Sequence, residues 1–119
     1  MAIQVVNMVE EVKLYKGIMD SVQDPLLNLI VSESMKRILI HINSRKANKL
    51  NEIPEELDFI VRDVSIKRFN KIDSEGTNSN SQEGLTLNWE KGYLDEYESI
   101  LAGYYDNEEE GRKGSIKFI

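Results

Sequence analysis

The sequence has no cysteine among its 119 residues. That excludes a disulfide framework and thiolate metal sites, and it fits a reducing compartment. There is one histidine, His41. A metal site needing two imidazoles is therefore out of reach, and any Ser-His-Asp apparatus would have to use this one residue. No G-x-S-x-G nucleophile elbow occurs, and neither common glycine-rich phosphate loop is present. His41 lies at the edge of an apolar helical stripe and reads as a partly buried structural residue. No apolar run is long enough to cross a bilayer. The N-terminus, "MAIQVVNMVEEV", has acids where a secretion signal would keep an unbroken apolar core, which argues against export. A basic excess is missing too. The net charge is −6, whereas proteins that grip nucleic acid through phosphates usually carry surplus cations.

What the sequence does have is helical pattern. The 119 residues, with 40% hydrophobic and 30% charged, suffice for one domain with a modest core. A first helix is expected over about 3–16. Val5, Met8, Val9, Val12 and Tyr15 share a face, and Gly17 stands where a left-handed C′ residue would sit. A second opens with Asp24 as N-cap and Pro25 at N1. Leu27, Ile30, Val31, Ser34, Ile38 and Ile42 form its main stripe, while Leu26, Leu29 and Ile40 project from another side. After the polar connection "SRKANKLNE", a third helix starts with Pro54 at N1 and acids in its first turn. Leu57, Ile60, Val61 and Val64 face one way, and Phe59 and Ile66 nearly the opposite way. A fourth, over roughly 91–105, lines up Tyr93, Leu94, Tyr97, Ile100, Leu101 and Tyr104. Its tyrosine stripe reads as a core-packing face whose hydroxyls reach water.

Between helices three and four lies "SEGTNSNSQEGLTLNW". Its last residues, Leu85, Thr86, Leu87, Asn88 and Trp89, alternate apolar and polar like a strand. Leu85, Leu87 and Trp89 either form a lid on the subunit's own core or face outward toward a neighbour. The chain closes with "NEEEGRKGSIKFI". The acidic part reads as a solvated linker rather than a calcium loop. The apolar tip either docks on a partner or folds back on the core.

Charge is uneven along the chain. Residues 90–110 hold eight acids and one lysine, whereas residues 33–71 hold nine bases and six acids. Such asymmetry can orient subunits or partners. Bases at helix ends, including Lys67, Arg68 and Lys71, leave open a DNA-associated packaging or regulatory role. No motif supports an enzyme, a cofactor or a metal. Helices with two apolar sides, a polar loop ending in a strand and an apolar tip are the anatomy of something that assembles.

"IPEELDFIVRDVSIKRFNKIDSEG", then "SQEGLTLNW", then "GSIKFI" resembles the head–tail connector proteins of long-tailed bacteriophages and prophages, also called adaptor or DNA-packaging proteins. The resemblance covers helix two to the C-terminus. It implies a mainly α fold: a small four-helix bundle with a β-hairpin or extended loop between helices three and four, and an extended C-terminal tail. Residues 1–106 would be the connector domain, with the hairpin or loop at about 74–90, and 107–119 a flexible docking tail. The resemblance implies a structural virion protein, not an enzyme, that forms a ring of about a dozen copies beneath the portal. The ring would extend the DNA channel and receive a neck, stopper or tail-completion protein. DNA would be only passing cargo, no membrane would be involved, and assembly would occur in the host cytoplasm before incorporation at the virion neck. The portal-binding tail would include Arg112, Lys113, Ile116, Phe118 and Ile119. Leu26, Leu29, Ile40, Phe59 and Ile66 would be candidates for contacts between subunits.

Overall fold

The structure, a computed structural model, describes residues 2–75 and 89–106. Three long helices form its frame: α1 (Val5–Lys16), α2 (Asp24–Asn43) and α3 (Asp58–Glu75). Each packs on the other two. The first ends as its sequence dictates. Gly17 takes φ 72°, and its N–H donates to the Leu14 carbonyl at 3.3 Å while Ile18 N–H reaches the Lys13 carbonyl at 2.9 Å. This paired closure satisfies two orphan carbonyls and needs a residue tolerant of the left-handed region.

Helix α2 begins one residue earlier than the capping pattern suggests. Asp24 is its first residue and Gln23 its N-cap. The Asp24 carboxylate is engaged by Lys13 at 2.9 Å instead, which ties the two helix ends together. The buried residues of α2 are Leu27, Ile30, Val31, Ser34, Ile38 and Ile42, the stripe expected from their spacing. The connection that follows is folded back by Asn43. Its side chain donates to the Leu50 carbonyl at 3.0 Å and accepts from the Leu50 N–H at 2.8 Å. An amide side chain here does the work of a paired backbone strand.

Pro54 does not start the third α-helix. It precedes a short 3₁₀ turn, η1 (Glu55–Leu57), and α3 begins at Asp58. Proline lacks the N–H but is permitted at this N-terminal position, and the tighter turn lets Leu57 reach the core.

The fourth helix forms where it is expected, but in three short pieces. They are the 3₁₀ segment η2 (Lys91–Tyr97), one α turn, α4 (Glu98–Leu101), and a closing 3₁₀ turn, η3 (Ala102–Tyr104). Tyr93, Leu94, Tyr97 and Leu101 are buried, as their pattern requires, but Ile100 is exposed. A 3₁₀ helix advances 120° per residue, so an α-helical wheel misplaces side chains along it.

The mainly helical fold is as expected, and no strand occurs among the described residues. Of the hairpin or extended loop expected at about 74–90, residues 76–88 lie outside the described residues; 74–75 end α3, and Trp89 and Glu90 are in no strand. The tail at 107–119 also lies outside the described residues.

Candidate assembly surfaces

Four structural features bear on what this bundle could hold or join. The first is the anchoring of the C-terminal segment. Asp106 N–H donates to the Arg45 carbonyl at 3.1 Å, and its carboxylate accepts from the Ala47 N–H and from Lys46 Nζ. The Ala47 N–H holds the Asp106 carboxyl below the usual range, with Lys46 adding to the effect. Tyr105 donates to Glu98 Oε2 at 2.8 Å, and Glu98 Oε1 faces His41 Nε2 at 3.1 Å. Burial alone would raise the Glu98 carboxyl. The Tyr105 and His41 contacts outweigh it and leave the group below its ordinary value. Burial and the Glu98 bond push the Tyr105 hydroxyl up to about 12. Arg45 stacks over the Tyr105 ring at 5.1 Å.

Three tyrosine hydroxyls of this segment thus meet carboxylates rather than water alone: Tyr97 with Asp63 at 3.0 Å, Tyr104 with Glu56 at 2.6 Å, and Tyr105 with Glu98. The pattern identified the tyrosine face but not its partners. The acids come from η1, α3 and α4, and their positions emerge only from the tertiary fold.

The second feature is a buried cation. The Arg68 side chain is 1% exposed and meets Glu33 Oε1 at 2.5 Å. It also donates to Ser34 Oγ at 3.0 Å. Its guanidinium sits 5.2 Å from the Trp89 ring, and Arg37 lies 5.7 Å from the same ring. Trp89 also meets Tyr93 edge-on at 5.0 Å. Trp89 therefore rests on its own subunit's helices. Leu85 and Leu87 lie outside the described residues. The other bases of this cluster are paired as well: Lys67 with Glu96 at 2.7 Å and Lys71 with Glu90. Lys67, Arg68 and Lys71, the cluster at the end of α3, are thus engaged by the chain's own acids, and gripping phosphate with Arg68 would require breaking a buried ion pair.

Third are the exposed apolar side chains. Of the subunit-contact candidates, Ile40 is 66% and Leu29 44% exposed on α2. They are eleven residues, just over three full turns, apart and share one line of the helix. Leu26, Phe59 and Ile66 are only partly exposed and pack against the core, Phe59 edge-on to Tyr97 at 6.1 Å. A further exposed set was missed by periodicity. Leu14 lies in the last turn of α1, and Met19 and Val22 lie in the α1–α2 connection, with Met19 92% exposed. Large apolar residues in the short connection "GIMDSVQD" were the available signal.

Fourth are two surface depressions flanking the Leu29–Ile40 line. One, of about 290 Å³, is lined by Arg37, Ile40, His41, Ser44, Trp89 and Leu94. The other, of about 270 Å³, is lined by Val5, Ser32, Met35, Lys36, Leu39 and residues 51–53. Among the described residues no group of three or more His, Cys, Asp or Glu side chains could hold a metal, and no helix is long and apolar enough to cross a membrane.

A family profile described as phage gp6-like head-tail connector protein matches residues 6–104. The chain belongs to that family. The match runs from the second residue of α1 to the last of η3 and so takes in all the helices described. It identifies a phage structural component, a connector, in agreement with the helical fold and the assembly-prone surfaces. No curated protein and no solved structure matches the chain.

Proposed function

We propose that this connector acts by binding alone, as one subunit of a ring at the virion neck beneath the portal. The ring would continue the DNA channel and present a platform to a stopper or tail-completion protein. Family membership over residues 6–104 carries this reading. The exposed Leu29–Ile40 line supports it, because side-by-side ring contacts need apolar surface left over after the subunit has folded. A ring of about a dozen copies would follow the portal's rotational symmetry. Its net charge of −6 suits a passage through which phosphates must slide without being held. Residues 112–119, with Ile116, Phe118 and Ile119 as apolar contacts, would reach the portal.

Removal of residues 112–119 should abolish or strongly weaken binding to purified portal, measured by calorimetry. Unchanged affinity would sink the tail's role. For the ring, Leu29→Asp with Ile40→Asp should leave the helical circular dichroism intact. It should also prevent the high-mass species that the native chain forms with portal. A ring of unaltered mass would remove that face from the interface. Gel shifts with duplex DNA at physiological salt should show no complex.

A further inference from the structure

Two sets of large apolar side chains stay exposed on different elements of the bundle. One is the α2 line, Leu29 and Ile40. Lys36 follows Leu29 by seven residues and precedes Ile40 by four, so it falls between them on the same line of the helix. It too is exposed. The other set is Leu14, in the last turn of α1, with Met19 and Val22 in the turn that follows. Asp20 stands between Met19 and Val22 and is exposed. Its carboxylate accepts the Val22 N–H at 3.1 Å, which helps to hold the turn.

The two surfaces are complementary. The helix line presents a cation between apolar side chains, and the turn presents an anion between apolar side chains. Neighbouring charges are already taken: Lys13 by Asp24 at 2.9 Å, and Arg37 by Glu33 at 3.4 Å. Among the described residues neither Lys36 nor Asp20 forms an ion pair, although Glu52 lines the same depression as Lys36. A ring subunit must offer one surface and receive a different one, because a contact between two like surfaces closes at two copies. A twofold pairing of the α2 lines has a further fault. Setting Leu29 of one copy against Ile40 of the other brings Lys36 opposite Glu33, whose carboxylate already serves Arg68 and Arg37.

We propose that the α1–α2 turn of one subunit, through Met19 and Val22, docks on the Leu29–Lys36–Ile40 line of the next, with Asp20 meeting Lys36 across the contact. The inference rests on the ring reading and supplies the missing half of its subunit contact. Burial of the apolar side chains provides the attraction. The ion pair fixes the register and disfavours contacts between two like surfaces.

The absence of cysteine makes the test direct. Chains bearing Met19→Cys are mixed with chains bearing Leu29→Cys or Ile40→Cys, assembled on purified portal and treated with a short bismaleimide. A covalent dimer is expected from at least one mixture and from no variant alone. A Leu29→Cys or Ile40→Cys chain that links to itself overturns the proposal, because it assigns the α2 line to a twofold contact. No link in either mixture overturns it as well. Charge reversal gives a second readout. Asp20→Lys and Lys36→Asp should each raise the concentration needed for assembly about fivefold, and both together should bring it back to within about twofold of native. Asp20→Asn, which keeps an acceptor for the Val22 N–H, should weaken assembly in the same direction. Assembly unchanged in Asp20→Asn and in Lys36→Asp removes the ion pair and overturns the stated register. High-mass species on portal without the links defeat this inference and leave the ring standing. If the native chain forms no high-mass species with portal, the ring reading itself fails and takes this contact with it.

Discussion

Where α1, α2 and α3 meet, the buried surface is mainly aliphatic: Val12, Leu27, Ile30, Val31, Ile38, Ile60, Val61 and Val64 are wholly enclosed, and the Arg68–Glu33–Ser34 contact between α3 and α2 is its charged exception. Where the segment 89–106 lies against them, Leu94 and Leu101 are buried too, but most named contacts carry charge. Tyr97 meets Asp63, Tyr105 meets Glu98, the Trp89 ring meets both Arg37 and Arg68, and Asp106 holds the Ala47 N–H. Apolar burial is non-directional and nearly indifferent to pH. Charge-assisted bonds are directional and depend on the protonation of both partners. The segment from which the tail departs is therefore the part whose attachment can be tuned without dissolving the bundle.

The largest effect should come from the aliphatic side of this comparison. Ile60 is wholly buried in α3, and truncation to alanine should cost about 2–5 kcal/mol. Helical circular dichroism and Trp89 fluorescence should then be lost in a single transition, because both regions rest on the same core. Separate transitions would mean that the segment is fastened independently of it.

Arg68→Met comes next. Removing one member of a buried pair costs about 3–5 kcal/mol where the other charge is left without a partner. Glu33 keeps 20% exposure and a second cation, Arg37 at 3.4 Å, so water and Arg37 relieve part of that penalty and the lower end is expected. Urea unfolding gives the loss in stability, and Trp89 emission should change even in the folded state as the ring loses the nearer of its two cations. A neutral result would mean that Arg68 contributes no more than the apolar body of its side chain.

Much of this was legible in sequence and some was not, for definite reasons. The α2 stripe was read correctly because a long α-helix keeps a fixed period and its two sides differ sharply in chemistry. Gly17 announced its own left-handed turn. The start of α3 was displaced because Pro54 marks an N-terminal position without saying whether an α or a 3₁₀ turn follows. The 3₁₀ course of residues 91–97 defeated an α-helical wheel, which is why Ile100 was assigned inward. The family resemblance pointed to the right class, whereas the face of α2 open to partners could be told from that of α3 only once Phe59 and Ile66 were seen packing on the core. Arg68 was read with the surface bases, since nothing local to "IKRFNK" reveals Glu33 and Ser34 opposite it.

Titration should separate the two regions next. The folded-state hydroxyls of Tyr97 and Tyr105 lie above their ordinary value of 10.0, first through burial and then through their carboxylate partners. The native state holds these protons more tightly than the unfolded chain. Their contribution is therefore complete below about pH 10 and is lost as pH climbs through the folded values, near 12 for Tyr105. Glu98 has the opposite sign. Its carboxyl is depressed below 4.5, so its contribution is present above that value and disappears as pH falls through the folded one. Thermal melts followed by Trp89 should narrow in stability at both extremes, and Tyr105→Phe should flatten the alkaline limb. An alkaline limb unchanged in that variant would place the titration elsewhere.

The smallest effects give the sharpest version of the comparison, because one chemical operation should change sign between the regions. Tyr97→Phe removes a hydroxyl that donates to a carboxylate at 3.0 Å. It also strands part of Asp63, so it should destabilise by about 1–2 kcal/mol. Ser65→Ala likewise removes a hydroxyl, but Ser65 sits at 0% exposure in the aliphatic half of α3 and its Oγ has no hydrogen-bond partner among the described residues. Burying an unpaired hydroxyl is unfavourable, and alanine is the better helix former by about half a kcal/mol. The change deletes one oxygen and leaves a void smaller than a methyl group, so little packing is lost. Ser65→Ala should therefore raise stability by about 1 kcal/mol in urea unfolding. If it lowers stability instead, Ser65 Oγ has a partner in solution, and the aliphatic half is fastened in part by the same polar chemistry as the segment that lies on it.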